Sequence, residues 1–153
     1  MPLNDYSFRS TWELAAPARN VYDVLAELGE YPAWWPEVKE AVKLSEDAYE
    51  LRCRSFLPYD LRFVTTRSVE DPDRMVLEAN MVGDLEGFSR WTISGTGDRT
   101  VCVFDEHVIT NKGLLDRLAI VARPAFKANH TLMMRHGERG LKIFLAGYRM
   151  GLG

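Results

Sequence analysis

Phe8, Ser10, Trp12 and Leu14 alternate with Ser7, Arg9, Thr11 and Glu13, a period of two that predicts a strand with one buried face. Ala15-Ala16-Pro17 ends it, and Pro17 suits the first turn of a helix. Ala18, Val21, Tyr22, Leu25 and Leu28 then recur at helical spacing before Gly29, so a short amphipathic helix follows. In Glu30 to Pro36 two prolines bracket two tryptophans, leaving room for at most one helical turn. So aromatic a turn must pack against something large, either as a plug closing one end of the core or as the wall of a cavity.

Six further alternating runs follow, Val38 to Leu44, Tyr49 to Phe56, Leu61 to Val69, Met75 to Val82, Leu85 to Ile93 and Thr100 to Thr110. The spacers are short and rich in turn residues, as at Asp71-Pro72-Asp73 and Gly95-Thr96-Gly97-Asp98. Short spacers imply antiparallel neighbours, since parallel pairing needs long crossovers. Asn111-Lys112-Gly113 separates the last strand from a helical stretch over Leu114 to Ala122. From Pro124 to about Tyr148 one helical face is marked by Phe126, His130, Met134, Gly137, Leu141, Phe144 and Tyr148.

These lengths constrain the shape. A helix of about 22 residues is about 33 Å long but only ~10 Å wide. A sheet of seven strands is about 30 Å across, too wide for one helix to cover flat. The sheet must curl around the helix, with Gly83, Gly87 and Gly95 as the expected places for bulges or bends. Space left between sheet and helix is the candidate site. The expectation is one α+β domain over 1–153, with loose ends at Met1 to Asp5 and Met150 to Gly153. Gly137 and Gly140 cost helix propensity, so close packing or open space should offset them. Open space at Gly137 is the version expected here.

Composition narrows the function classes. Of the 153 residues, 46% are hydrophobic and 27% charged, with a net charge of −3, ordinary values for a folded globular chain. Lys and Arg are scattered, without the basic stripe that a nucleic-acid backbone demands. No run approaches the ~20 apolar residues of a membrane span, and no signal peptide is evident, so the cytoplasm is the expected location. Cys53 and Cys102 sit in apolar alternating runs and read as buried thiols. His107, His130 and His136 lack zinc-site spacing, and neither a phosphate loop nor a nucleophile elbow occurs. No metal or cofactor is expected.

Ser10-Thr11-Trp12 with Leu14-Ala15-Ala16-Pro17, and Tyr31-Pro32 with Trp34-Trp35-Pro36, open a pattern that runs nearly the whole chain. Leu57-Pro58-Tyr59, Gly83 to Gly87 and Arg90-Trp91 continue it. Arg123 to Phe126, Asn129-His130, Met134-Arg135 and Gly140-Leu141 complete it. The chain resembles the polyketide cyclase/dehydrase branch of the SRPBCC superfamily. The resemblance implies a helix-grip fold, as in START lipid-transfer domains and the birch-pollen allergen, with a hydrophobic cavity. It does not fix an activity, because binders, cyclases, aromatases and dehydratases share this fold. Two positions depart from the pattern: Glu106, where relatives tend to carry an aromatic, and Asn80 to Val82, which lengthen the turn before Gly83.

Resemblance and the partners Phe104 and Val108 put Cys102, Phe104, Glu106, Val108 and Thr110 on the inner face. Burial disfavours the charged form of a carboxyl, a setting that suits Glu106 to acid or base work unless it lies at the cavity mouth or pairs with an Arg. His130 reads either as a hydrogen-bonded core histidine or as a donor or proton acceptor for a ligand carbonyl. Glu106 and His130 are therefore the candidate catalytic residues. Trp12, Trp35, Tyr59, Phe63, Trp91, Phe104, Phe126 and Met134 join them as candidate ligand contacts. The first functional reading is binding of a small hydrophobic molecule, a lipid, isoprenoid or polyketide-like compound. The alternative is a cyclase or dehydratase acting on a carbonyl compound in the same cavity, and a filled core with no ligand is the third. The assembly expected is a monomer or homodimer.

Overall fold

The structure is a computed structural model, and it describes residues 5–111 and 123–149. The helix expected over Leu114 to Ala122, the chain ends and the side chain of Tyr148 lie outside the described residues. Strand β1 (Asp5–Leu14) is followed by helix α1 (Ala18–Ala26), a 3₁₀ turn (Leu28–Glu30) and a single-turn helix α2 (Tyr31–Trp34). Six strands follow: β2 (Val38–Lys43), β3 (Ala48–Cys53), β4 (Leu61–Asp71), β5 (Val76–Gly83), β6 (Leu85–Thr96) and β7 (Arg99–Thr110). Helix α3 (Arg123–Arg149) comes last. The seven strands form one antiparallel sheet in the order β1-β7-β6-β5-β4-β3-β2. The first strand therefore lies beside the last, and each other strand beside its neighbour in sequence.

Three expectations are corrected. Among the described residues the register shifts lie between Val38 and Glu40 and between Arg67 and Val69, whereas β6 runs against β7 without a shift past Gly87 and Gly95. Gly83 and Gly87 do adopt positive φ, 139° and 151°. Asn80 to Val82 do not lengthen a turn, because they pair within β5 against β4.

The long helix departs from the third expectation, open space at Gly137. A Cβ on Gly137 would lie 2.6 Å from Trp35 Cε2 and 2.9 Å from Trp12, and one on Gly140 would lie 1.7 Å from the Trp34 carbonyl oxygen. Both glycines therefore serve close packing, and no open space lies at Gly137. Trp35 Nε1 donates to the Met133 carbonyl at 2.9 Å, and His136 Nδ1 contacts the buried Glu37 carboxylate. The double-tryptophan turn is thus clamped onto the middle of α3. Trp12, Trp34, Trp35 and Trp91 meet there, with Trp12 at 6.2, 5.4 and 4.8 Å from the other three rings.

Gly140→Ala is expected to destabilise the fold by about 1–3 kcal/mol, because backbone rather than a flexible side chain blocks the new methyl. Gly147→Ala, with nothing within 4 Å of the added carbon, should instead stabilise by up to about 1 kcal/mol. Urea unfolding of the two variants checks both signs.

Candidate functional site

Alternation along the strands decides what faces α3. On β7 the inner face carries Cys102, Phe104, Glu106, Val108 and Thr110, and all but Glu106 are buried below a tenth. On α3 the row Phe126, His130, Met134, Gly137 and Leu141 turns to the sheet, continued by the buried Leu145, with Phe144 only partly covered. Between the first turns of α3 and the sheet lies a cavity of about 110 Å³. Its walls are mostly apolar and include Leu51, Leu61, Leu77, Met81, Leu85, Met133 and Met134. Unbranched methionines can re-pack around differently shaped ligands.

Of the residues expected to touch a ligand, Trp35, Phe63, Trp91, Phe104, Glu106, Phe126, His130 and Met134 line this cavity. Trp12 does not: its ring is enclosed by the other tryptophans and belongs to the plug. Trp35 serves in both plug and wall. Tyr59 lines a separate small recess with Leu57, Asn129 and Met133, beside the cavity rather than in it. Asn129 is tied to that loop, accepting from the Leu57 amide at 3.4 Å.

The structure brings the two candidate catalytic residues together. His130 Nε2 lies 3.0 Å from Glu106 Oε1, with only 16% and 11% of the two side chains exposed. In a neutral imidazole that donates to Glu106, Nε2 carries the proton and Nδ1 keeps a lone pair. Among the described residues the partner of Glu106 is this histidine and not the arginine that was one expected alternative. A carboxylate that orients an imidazole is a recurring acid–base arrangement.

Sequence reasoning passed over Arg67. Leu61, Phe63, Thr65 and Arg67 share the inner face of β4 and all line the cavity. Arg67 sits where the β4–β5 register shifts, and bulges of this kind re-aim side chains. One guanidinium nitrogen donates to the Ala26 carbonyl at 2.7 Å, and no carboxylate forms an ion pair with Arg67 among the described residues. The alternation of β4 was the signal that could have found it.

Register places these groups in one line. Arg67 is directly opposite Ala79, Ala79 opposite Ser89, Ser89 opposite Glu106, and Glu106 opposite Phe8. At ~4.8 Å per strand, Arg67 and Glu106 stand about 14 Å apart along the sheet. The two residues between them are small, so the cavity floor is low from one polar end to the other.

A family model described as "Polyketide cyclase / dehydrase and lipid transport" matches residues 14–130. The chain belongs to this family. Solved structures share its fold. A START superfamily protein from Mycobacterium smegmatis has 19% identity and a TM-score of 0.71, over 89% of this chain and 94% of that one. The Zhui aromatase/cyclase from Streptomyces sp. R1128 has 17% identity and a TM-score of 0.74, over 94% of each chain. The di-domain ARO/CYC StfQ from the steffimycin biosynthetic pathway has 15% identity and a TM-score of 0.72. That match covers 97% of this chain and 53% of StfQ. No curated protein matches the sequence significantly. The fold is therefore the helix-grip fold of START-like proteins. Among the described residues no helix is long and apolar enough to cross a membrane, and no group of three or more His, Cys, Asp or Glu is placed to hold a metal ion.

Cys53 lines the cavity, but burial pushes both the Cys53 and Cys102 thiols up to about 12. Both stay protonated near neutral pH and are poor nucleophiles. An aromatic disulfide reagent is expected to modify them only when the chain is unfolded. Rapid modification of either thiol in the folded protein would contradict this burial.

Proposed function

We propose that this protein binds a small, elongated hydrophobic molecule with oxygen functions near both ends, held between the sheet and α3. One oxygen is seated on Arg67 and the other beside His130 and Glu106, with the apolar body lying over Ala79 and Ser89. The observation that carries this reading is Arg67, a half-buried cation lining an apolar cavity without a carboxylate partner among the described residues. Such a charge is costly unless a ligand acceptor or water completes its hydrogen bonds.

Two fluorescent probes with the same ring system test it. 1-Anilinonaphthalene-8-sulfonate carries an anion, and N-phenyl-1-naphthylamine does not. The wild-type chain should prefer the sulfonate, and Arg67→Met should weaken that probe by about 10–100-fold, the worth of a hydrogen bond to a charged group. The neutral probe should be nearly unaffected. Equal losses for both probes, or none, would remove Arg67 from the site.

The 3.0 Å contact between His130 and Glu106 favours a second reading, acid–base chemistry on a carbonyl compound in the same cavity. His130 Nδ1 would take a proton from carbon next to the carbonyl, and the resulting imidazolium, held by Glu106, would give it to the oxygen of a second carbonyl that this carbon attacks, or to a hydroxyl that leaves from the adjacent carbon as water. That is the proton traffic of a cyclisation or dehydration, and the family's description and the cyclase relatives support it by analogy. In this case Glu106→Gln should retain ligand affinity while turnover drops by roughly 10²–10⁴-fold. A change in affinity with no catalytic step to lose leaves binding as the whole function.

A further inference from the structure

Strand β1 and helix α3 meet through two aromatic rungs. Tyr6 and Phe126 lie 4.5 Å apart between ring centroids. Phe8 and His130 lie 3.7 Å apart with their planes only 9° from parallel. The match has a geometric origin. Two residues along a strand advance about 6.6 Å, and four along a helix about 6 Å. Tyr6 and Phe8 on one side therefore keep step with Phe126 and His130 on the other. Tyr6 also stacks on Phe8, at 5.9 Å and 8°.

This arrangement controls an imidazole. The terminal torsion of histidine is broad, so a helix alone does not fix the plane of the His130 ring. Phe8 covers one face and sets that plane. Glu106, the direct cross-strand partner of Phe8, meets the ring at its Nε2 edge. Rotation out of the plane would lose both contacts together. Side chains directly opposite on neighbouring strands are close enough to act on one group, and here they hold one ring from the face and from the edge.

We propose that Phe8 is a positioning residue for His130, fixing the imidazole plane so that Nε2–H stays on Glu106 and Nδ1 remains the nitrogen offered to the ligand. The assignment rests on the reading of His130 and Glu106 as the polar centre of the cavity. Its test requires no ligand, so it can fail independently of the binding reading. The Nε2 proton of His130, held in a partly buried hydrogen bond, should give a downfield imidazole N–H signal in proton NMR of the ¹⁵N-labelled chain in water. Assignment comes from its loss in His130→Gln. Phe8→Leu leaves both members of the pair in place, yet should speed solvent exchange of that proton by at least about tenfold, as expected for a bond that opens locally. Phe8→Tyr keeps the ring and should behave as wild type. Should Phe8→Leu fail to fold, Phe8→Met preserves a long apolar side chain and is read in the same way.

A purely structural Phe8 would lower the melting temperature of Phe8→Leu while leaving the His130 proton at its wild-type exchange rate, and that result overturns the proposal. Absence of the signal from the wild-type chain also overturns it, because Nε2–H would then not be held by Glu106. Recovery of slow exchange in Phe8→Tyr together with its loss in Phe8→Leu is the supporting pattern.

Discussion

One α-helix is about a third as wide as a seven-stranded sheet, and most of this structure follows from how that mismatch is met. The sheet faces α3 with more apolar surface than a single helix can cover. At one end the deficit is filled with aromatic bulk from the turn between α1 and β2. Trp34 and Trp35 approach α3 closely because Gly137 and Gly140 present no side chains there, and the Trp35 to Met133 hydrogen bond fixes the approach. At the other end, under Phe126 to Met134, the described residues supply no such plug, and the deficit remains as the cavity. Plug and cavity are two answers to the same geometric problem on one helix.

Polar side chains stand in both halves, each with a partner or a space. In the plugged half the buried Glu37 carboxylate meets His136 Nδ1. The open half holds the rest. Glu106 has His130, Asn129 has the Leu57 amide, and Arg67 has one backbone carbonyl and hydrogen-bonding capacity to spare. The straight cross-strand line from Arg67 to Phe8 arises because β5, β6, β7 and β1 pair directly along it, with the β4–β5 shift in register falling just after Arg67. Neighbouring arginines on other faces, such as Arg90 on Glu78 at 2.6 Å and Arg9 on Asp105 at 2.6 Å, are neutralised by cross-strand carboxylates. Arg67 has no such partner among the described residues.

The strands were readable from local information, since a period of two and turn chemistry depend on near neighbours. The helix face of His130 was readable for the same reason, whereas the inward face of Glu106 also needed the family resemblance, because both faces of its strand carry apolar residues. Their pairing was not, because it depends on how β7 and β1 sit beneath α3, a relation between residues 24 and more positions apart. Gly137 shows the same limit. Its reason for being glycine is an indole about a hundred positions earlier, so helix propensity could flag the cost but not distinguish packing from space. Trp12 was misplaced because an inward-facing aromatic next to a cavity and one inside a plug have the same pattern along a strand. Arg67 was overlooked although its alternation with Leu61, Phe63 and Thr65 was plain, since a cation in such a run usually marks the solvent face. The bulge beside it has no glycine to announce it, unlike the three positions where bends were expected.

The central claim is that the low floor between Arg67 and Glu106 carries an oxygen-bearing hydrophobic molecule rather than standing as a packing defect. Native mass spectrometry of the chain, isolated from its own host without organic solvent, tests this most directly. The expected result is one small molecule per chain, released on denaturation, with an oxygen-containing formula and a length suited to about three strand spacings. A chain that carries nothing and retains no compound from a whole-cell lipid and metabolite extract would contradict it.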